Sequence, residues 1–253
     1  MKKALVIISY GTTCEVGMKG IIHMEESLKK MFSEYDCFRA FTSEKVIRKL
    51  RLQQGIQVSS PDELLQQLKK YGYEEIICQP THIICGKEFH KMMEQLKDWK
   101  EQFSSFFVGQ PLLSDESDYR QCVNFYKKEI LLGEKEALIV IGHGSESYAN
   151  QAYGKLETMF RTEGSHQVYM GTINGTFTVE QVISKLKEKE YQILHLVPFM
   201  IVSGRHVKRD IIEKETSWKK QLEKEGYEVR VYQKGLSEHD EIVRIFAQHI
   251  KNK

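Results

Sequence analysis

Leu138 to Glu146 reads LIVIGHGSE. Four apolar residues, Leu138, Ile139, Val140 and Ile141, run straight into Gly142-His143-Gly144-Ser145. This is the pattern of a buried strand that ends in a tight turn and presents one imidazole. In open α/β sheets, ligands bind at that carboxyl end of the strands. The chain opens with a near copy: Ala4 to Thr12 reads ALVIISYGT, with Tyr10 in the position of His143. A duplicated strand and turn with one altered residue predicts two similar halves that differ in chemistry.

Two further anchors support the duplication. Tyr73-Glu-Glu-Ile-Ile-Cys-Gln-Pro80 matches Tyr191-Gln-Ile-Leu-His-Leu-Val-Pro198, and each continues to a glycine, Gly86 and Gly204, at the same spacing. Leu113-Ser114-Asp115 likewise matches Leu236-Ser237-Glu238. Between the anchors, short apolar runs alternate with amphipathic stretches. Helices are expected over Gly20 to Phe32, Glu44 to Leu52, Ser60 to Tyr71, Lys87 to Glu101 and Asp118 to Leu131, and in the second half over Ala149 to Phe160, Val179 to Glu188, Arg205 to Glu225 and Asp240 to Lys251. Ser60-Pro61-Asp62-Glu63 is a strong helix start, because serine caps, proline suits the first turn and the acids face the positive end of the dipole. Strand and helix in alternation imply parallel βαβ units with right-handed crossovers. The expected fold is therefore α/β in two similar halves, each a mostly parallel sheet flanked by helices. Residues 1–132 form the first half and 133–253 the second, with a cleft between them.

Composition narrows the class. The 253 residues suffice for a sizeable core, and 28% charged with 41% apolar residues is the balance of an ordinary globular protein. With 37 basic and 35 acidic side chains well mixed, nothing global favours nucleic acid. No apolar run approaches the roughly 20 residues of a membrane span. The apolar run after Lys2-Lys3 is a core strand rather than a signal peptide. An odd set of five cysteines in a chain of this size reads as reduced thiols in a cytoplasm.

Among the nine histidines, His143 and His206 stand out. His143 lies between two glycines, which let a substrate approach closely, and His206 follows Val202-Ser203-Gly204 at an expected helix start. Strand-end loops open on one sheet edge, so the two can converge, and paired neutral imidazoles suit a divalent transition metal or proton acceptance near neutral pH. His195, inside a strand, reads as structural, as do His23, His166, His239 and His249. The glycine turn is no dinucleotide fingerprint, since Ser147 stands at its third glycine, and neither a G-x-S-x-G elbow nor a P-loop occurs. Gly142, not arginine, precedes His143, so a histidine phosphatase is excluded. Cys78, His82, Cys85 and His90 match no common zinc spacing, although His82 and His90 are candidate axial ligands for a bound haem.

These residues resemble a known family. MKKALVIISYGTT at the start, FRAFTSEKVIRKLR from Phe38, His82-Ile-Ile-Cys-Gly86, GQPLLS from Gly109, IGHGS at Ile141 and LVPFMIVSGRHVKRDI from Leu196 are similar to the anaerobic cobalt chelatases of cobalamin biosynthesis. The resemblance spans nearly the whole chain. It implies the class II chelatase fold, with pseudo-twofold halves, and insertion of Co2+ into sirohydrochlorin or precorrin-2. In that family two histidines and a glutamate hold the metal. The histidines fall on His143 and His206, which become metal ligands and proton acceptors, and the acid's place is taken by Asn174, a weaker neutral ligand. The substrate surface implied comprises Tyr10, Gly11, Thr12, His82, Leu113 and Ser114 with Gly144, Ser145, Gly204 and Arg205. A basic rim of Lys87, Arg205, Lys208 and Arg209 suits the carboxylate-rich tetrapyrrole.

The resemblance implies no organic cofactor, with Fe2+ and Ni2+ as alternative substrate metals and haem as a candidate bound tetrapyrrole. The partner is the tetrapyrrole, without nucleic acid or membrane; self-association is compatible with it. Asn174 raises two alternatives: a diverged homologue that acts on another metal or porphyrin or removes metal, and a non-catalytic tetrapyrrole carrier. A two-domain binding protein for small solutes is a different class, normally exported, and no signal is read here.

Overall fold

The structure, a computed structural model, describes residues 1–145 and 148–251. Glu146 and Ser147, which close the quoted stretch and occupy the third-glycine position, lie outside the described residues.

The first strand-helix series is β1 (Lys2–Ser9), α1 (Glu15–Met31), β2 (Asp36–Phe41), α2 (Glu44–Gln54), α3 (Pro61–Lys70), β3 (Tyr73–Pro80), α4 (Lys87–Lys97), β4 (Ser105–Val108) and α5 (Glu116–Glu129). The second is β5 (Glu136–Gly142), α6 (Gln151–Thr162), β6 (Val168–Thr172), α7 (Val179–Leu186), β7 (Ile193–Phe199), a π-helical turn (Val207–Glu213), α8 (Trp218–Lys224), β8 (Glu228–Val231) and α9 (Asp240–Lys251). The strands form two four-stranded sheets, β2-β1-β3-β4 and β6-β5-β7-β8, parallel throughout. The internal repeat reaches the level of register: Ile8 pairs with Pro80 in the first sheet and Ile141 with Pro198 in the second. The central strands are buried on both faces, as parallel sheets covered by helices require.

Local chemistry sets the helix starts. Ser60 and Glu63 form a reciprocal capping box with Pro61 at the first turn, and Asp115 with Asp118 and Thr178 with Gln181 do the same for α5 and α7. Such caps contribute about 1 kcal/mol each. The expected long helix over Arg205 to Glu225 is instead broken in two. Lys214 turns out of the helix at ψ 150°, and Ser217 both caps α8 through Lys220 N and donates to Ile212 O at 3.1 Å. The break seats Trp218, 4% exposed, against Gly171, where an added Cβ would lie 2.4 Å from the indole.

The chain groups into two compact units, Met1–Ser114 with Ser237–Lys253, and Asp115–Leu236. This differs from a division at residue 132, because the last helix of each series packs away from its own sheet. In the second unit α5 lies on α6, with Tyr126 ring centroids 6.3 Å from Phe160 and 6.1 Å from Phe199. In the first unit α9 lies on α1 and β3, and His249 Nδ1 donates to Gln110 O at 3.1 Å. Among the described residues no helix is long and apolar enough to cross a membrane. The five cysteines are free.

Candidate metal-handling site

In the second unit, β5 ends at Gly142, which must be glycine because an added Cβ would sit 2.4 Å from the ring of Tyr153. His143 follows. Its backbone is clamped by the chain leaving β6, with Ile173 N donating to Gly142 O at 3.0 Å and Asn174 N to His143 O at 2.9 Å. Gly144 takes φ +79°, and any Cβ would fall 1.7 Å from Asn174 O, so this position accepts only glycine. Asn150, 6% exposed, ties the turn to the neighbouring loop. It accepts from Ser145 N at 3.2 Å and donates to Thr176 Oγ1 at 2.8 Å.

The loop after β7 brings His206 to His143, with ring centroids 4.9 Å apart and planes at 89°. Both rings are exposed at their outer edges. His143 Nδ1 faces Gly144 O at 3.3 Å and His206 Nδ1 faces Asp210 Oδ2 at 2.8 Å. A carbonyl and an ionised carboxylate can only accept, so both Nδ1 atoms carry a proton, and in the neutral ring Nε2 is the nitrogen left to donate a lone pair. Desolvation lowers the His143 pKa below the ordinary imidazole value, helped by His206 and opposed by the Gly144 hydrogen bond and Asp210, which keeps the ring neutral near pH 7. Burial alone would raise the Asp210 carboxyl. Hydrogen bonds from Arg209, His206 and Lys214 outweigh it and hold the group well below the usual carboxylate range.

Asn174 is exposed, its backbone locked to His143. Among the described residues no cluster of three or more His, Cys, Asp or Glu side chains is arranged to hold a metal ion, and His143 and His206 are the candidate donors brought together here. Gly204 O accepts the Lys208 N–H at 3.2 Å, and Arg205 is exposed beside it. The expected basic rim is partly committed: Arg209 is bound to Asp210 at 2.9 Å and Lys208 lies 3.5 Å from Glu213.

The remaining sequence candidates lie in the first unit, on the loops after β1 and β3. Tyr10 is 52% exposed, Gly11 packs on the Phe41 ring, and Thr12 Oγ1 accepts from Cys14 N at 3.1 Å. His82 O and Ile83 O accept from Leu112 N and Leu113 N at 2.8 and 2.9 Å, which draws Leu113 and Ser114 to the same edge. Both His82 ring nitrogens are buried without a hydrogen-bond partner, and burial pushes its pKa down to about 4. Iron ligation by His82 would need this pocket to open. His90 is exposed on the other side of Phe89, whose centroid lies 5.8 Å from His82 and 5.9 Å from His90.

Comparison with known proteins shows the family of the chain. The family Cobalt chelatase (CbiK) matches residues 3–253. The chain belongs to this family. It is 33% identical to the sirohydrochlorin cobaltochelatase of Salmonella typhimurium over 99% of this chain and 96% of that one. It is also 26% identical to the sirohydrochlorin cobaltochelatase CbiKC of Nitratidesulfovibrio vulgaris, over 98% and 89%. The solved structure of SirB from Bacillus subtilis with Fe3+ shares the fold at a TM-score of 0.68 and 14% identity, covering 100% of this chain and 95% of that one.

Two contributors to this chelatase's site escape a reading of the sequence. Asn150 has no motif, and only the fold brings it to Ser145. Asp210 had a signal, its place four residues after His206, which sets both on one helix face. His195 is structural as expected, 4% exposed between Glu136 at 3.1 Å and Tyr232 at 3.1 Å. His23 and His249 likewise have protein partners, Asp240 Oδ1 at 3.0 Å and Gln110 O at 3.1 Å.

Proposed function

We propose that this cobalt chelatase inserts Co2+ into sirohydrochlorin, or its reduced relative precorrin-2, with His143 and His206 as the working pair. The main support is their perpendicular approach at 4.9 Å with each Nδ1 engaged, on a chain aligned end to end with cobaltochelatases. Chelation exchanges two pyrrole N–H protons for one Co2+, so a site must deliver the metal and take up protons. Nε2 of His143 and of His206 hold the substrate metal, a borderline ion suited to imidazole. As the metal passes to the ring nitrogens, the freed Nε2 of His143 accepts a pyrrole proton. Its lowered affinity lets it pass that proton on to water. The second pyrrole proton is taken up at His206 Nε2 once the metal has left it.

Asn174 is a weak third contact, and Gly144, Ser145, Gly204 and Arg205 form the substrate's bed in this unit. Tyr10, Gly11, Thr12, His82, Leu113 and Ser114 are proposed substrate contacts from the first unit. The domain assignment that follows from the duplication, residues 1–132 and 133–253, we propose as the evolutionary rather than the packing division. Five free thiols suit a cytoplasmic setting.

Cobalt insertion into sirohydrochlorin, followed by absorbance, tests this reading. His143→Ala and His206→Ala should each lower turnover at least about 100-fold, the range of a lost acid-base group. Full activity in both variants would refute it.

A further inference from the structure

The two imidazoles are not held alike. His143 leans on one backbone carbonyl at 3.3 Å, whereas His206 Nδ1 meets a carboxylate oxygen at 2.8 Å. That carboxylate is itself fixed. Arg209 donates from Nε to Asp210 Oδ1 at 2.9 Å and from Nη2 to Oδ2 at 3.1 Å, and Lys214 Nζ lies 3.1 Å from Oδ1. Its side chain is only 12% exposed. The π-helical turn Val207–Glu213 carries Arg209 and Asp210 and is capped by His206 and Lys214, with Lys214 N donating back to Arg209 O, and it is anchored by Val207 and Ile211, which are 1% and 0% exposed. Irregular π-turns within helices are recurrent features of functional sites. Within this turn the Asp210 carboxylate meets the His206 ring at Nδ1, so Nε2 is the ring nitrogen left for a ligand.

We propose that Asp210 is the positioning residue of cobalt capture: it fixes the tautomer and plane of His206 so that Nε2 is presented to the metal, and it supplies the carboxylate that position 174 lacks. Rings that ligate metals are commonly held this way, since a carboxylate on the far nitrogen both aims the ring and makes it more basic. Two cations on Asp210 keep it from swinging towards the metal, so its charge acts through the imidazole. This assigns Arg209 and Lys214 to the support of Asp210 rather than to substrate carboxylates. The inference rests on His206 being a cobalt ligand.

The test uses the full chain. Co2+ is titrated into the substrate-free protein and followed by its visible absorption, and KM for Co2+ and for sirohydrochlorin is measured in parallel for the wild type, Asp210→Asn, Asp210→Glu and His206→Ala. Asp210→Asn should weaken Co2+ binding and raise KM for Co2+ about 10- to 100-fold, leaving KM for sirohydrochlorin within about twofold. Asp210→Glu should fall between it and the wild type. Cobalt binding and KM within threefold of wild type in Asp210→Asn would overturn the proposal while leaving the chelatase reading intact. Unchanged cobalt binding in His206→Ala would overturn the ligand assignment beneath it. Should Asp210→Asn fail to fold, long-range imidazole nitrogen NMR of the wild type decides: a His206 ring protonated on Nδ1 supports the proposal, and one protonated on Nε2 refutes it.

Discussion

Replacing Gly144 by alanine tests whether the turn that carries His143 is built as tightly as its geometry demands. Two costs are separable. The first is backbone strain: Gly144 sits at φ +79°, where a residue with a Cβ loses about 1–2 kcal/mol. The second is collision. The added carbon would lie 1.7 Å from Asn174 O and 2.9 Å from Thr172 Cβ, and the nearer obstacle is backbone, which cannot rotate aside. Overpacking of this kind costs a further ~1–3 kcal/mol. Gly164, in the same unit, provides the control, since it has φ +83° but nothing within 4 Å of its Cβ position. Gly164→Ala should therefore show the strain alone. Urea unfolding of both variants, with cobalt insertion measured alongside, separates the two. Gly144→Ala should be the less stable by about 1–3 kcal/mol. It should also lose most of its turnover, because Asn174 N anchors His143 O and the two loops must part to admit a methyl group. Equal stability of the two variants with native turnover in Gly144→Ala would refute this account of the turn.

Two further outcomes follow from single residues. His82, pushed from 6.5 down to about 4 by burial, stays neutral in the fold while the unfolded chain takes up a proton below pH 6.5. Its contribution to stability is thus present above pH 6.5 and is lost towards pH 4, about 3 kcal/mol in full. His82→Phe, ring for ring beside Phe89, should gain on the wild type progressively as pH falls from 7 to 4.5 in denaturant unfolding; a difference independent of pH would contradict the buried neutral imidazole. Asn174→Glu, at an exposed side chain on an anchored backbone, should change stability by less than about 0.5 kcal/mol and lower KM for Co2+, since a carboxylate binds the ion better than an amide. An unchanged KM would place residue 174 away from the metal.

Much of this molecule was legible in its sequence because the duplicated strands announce themselves. Parallel strands buried on both faces must be continuous apolar runs, and both Ala4 to Ile8 and Ala137 to Ile141 are such runs, at 0% to 2% exposure. The Pro80 and Pro198 anchors take matched places in the two sheets, paired with Ile8 and Ile141. The helix break at Lys214–Ser217 was not legible. Lys214-Glu215-Thr216-Ser217 contains neither glycine nor proline, and the polar run on either side has helical spacing, so the only local sign is the capping serine. The exchange of α5 and α9 between the compact units was hidden too, since an amphipathic helix states which face it buries but not against which sheet.

The same break bears on the site. A regular helix from Arg205 would continue past Glu213 and carry Trp218 onward, whereas the π-helical turn ends at Lys214, whose amine returns 3.1 Å from Asp210 Oδ1. The residue that ends the turn therefore also holds the carboxylate that meets His206 Nδ1. The duplication places a different residue at the matching turn of the first half, Tyr10 where His143 stands in the second. What distinguishes the two imidazoles from each other is set by a hydrogen bond to a neighbouring carboxylate in one case and to the main chain in the other.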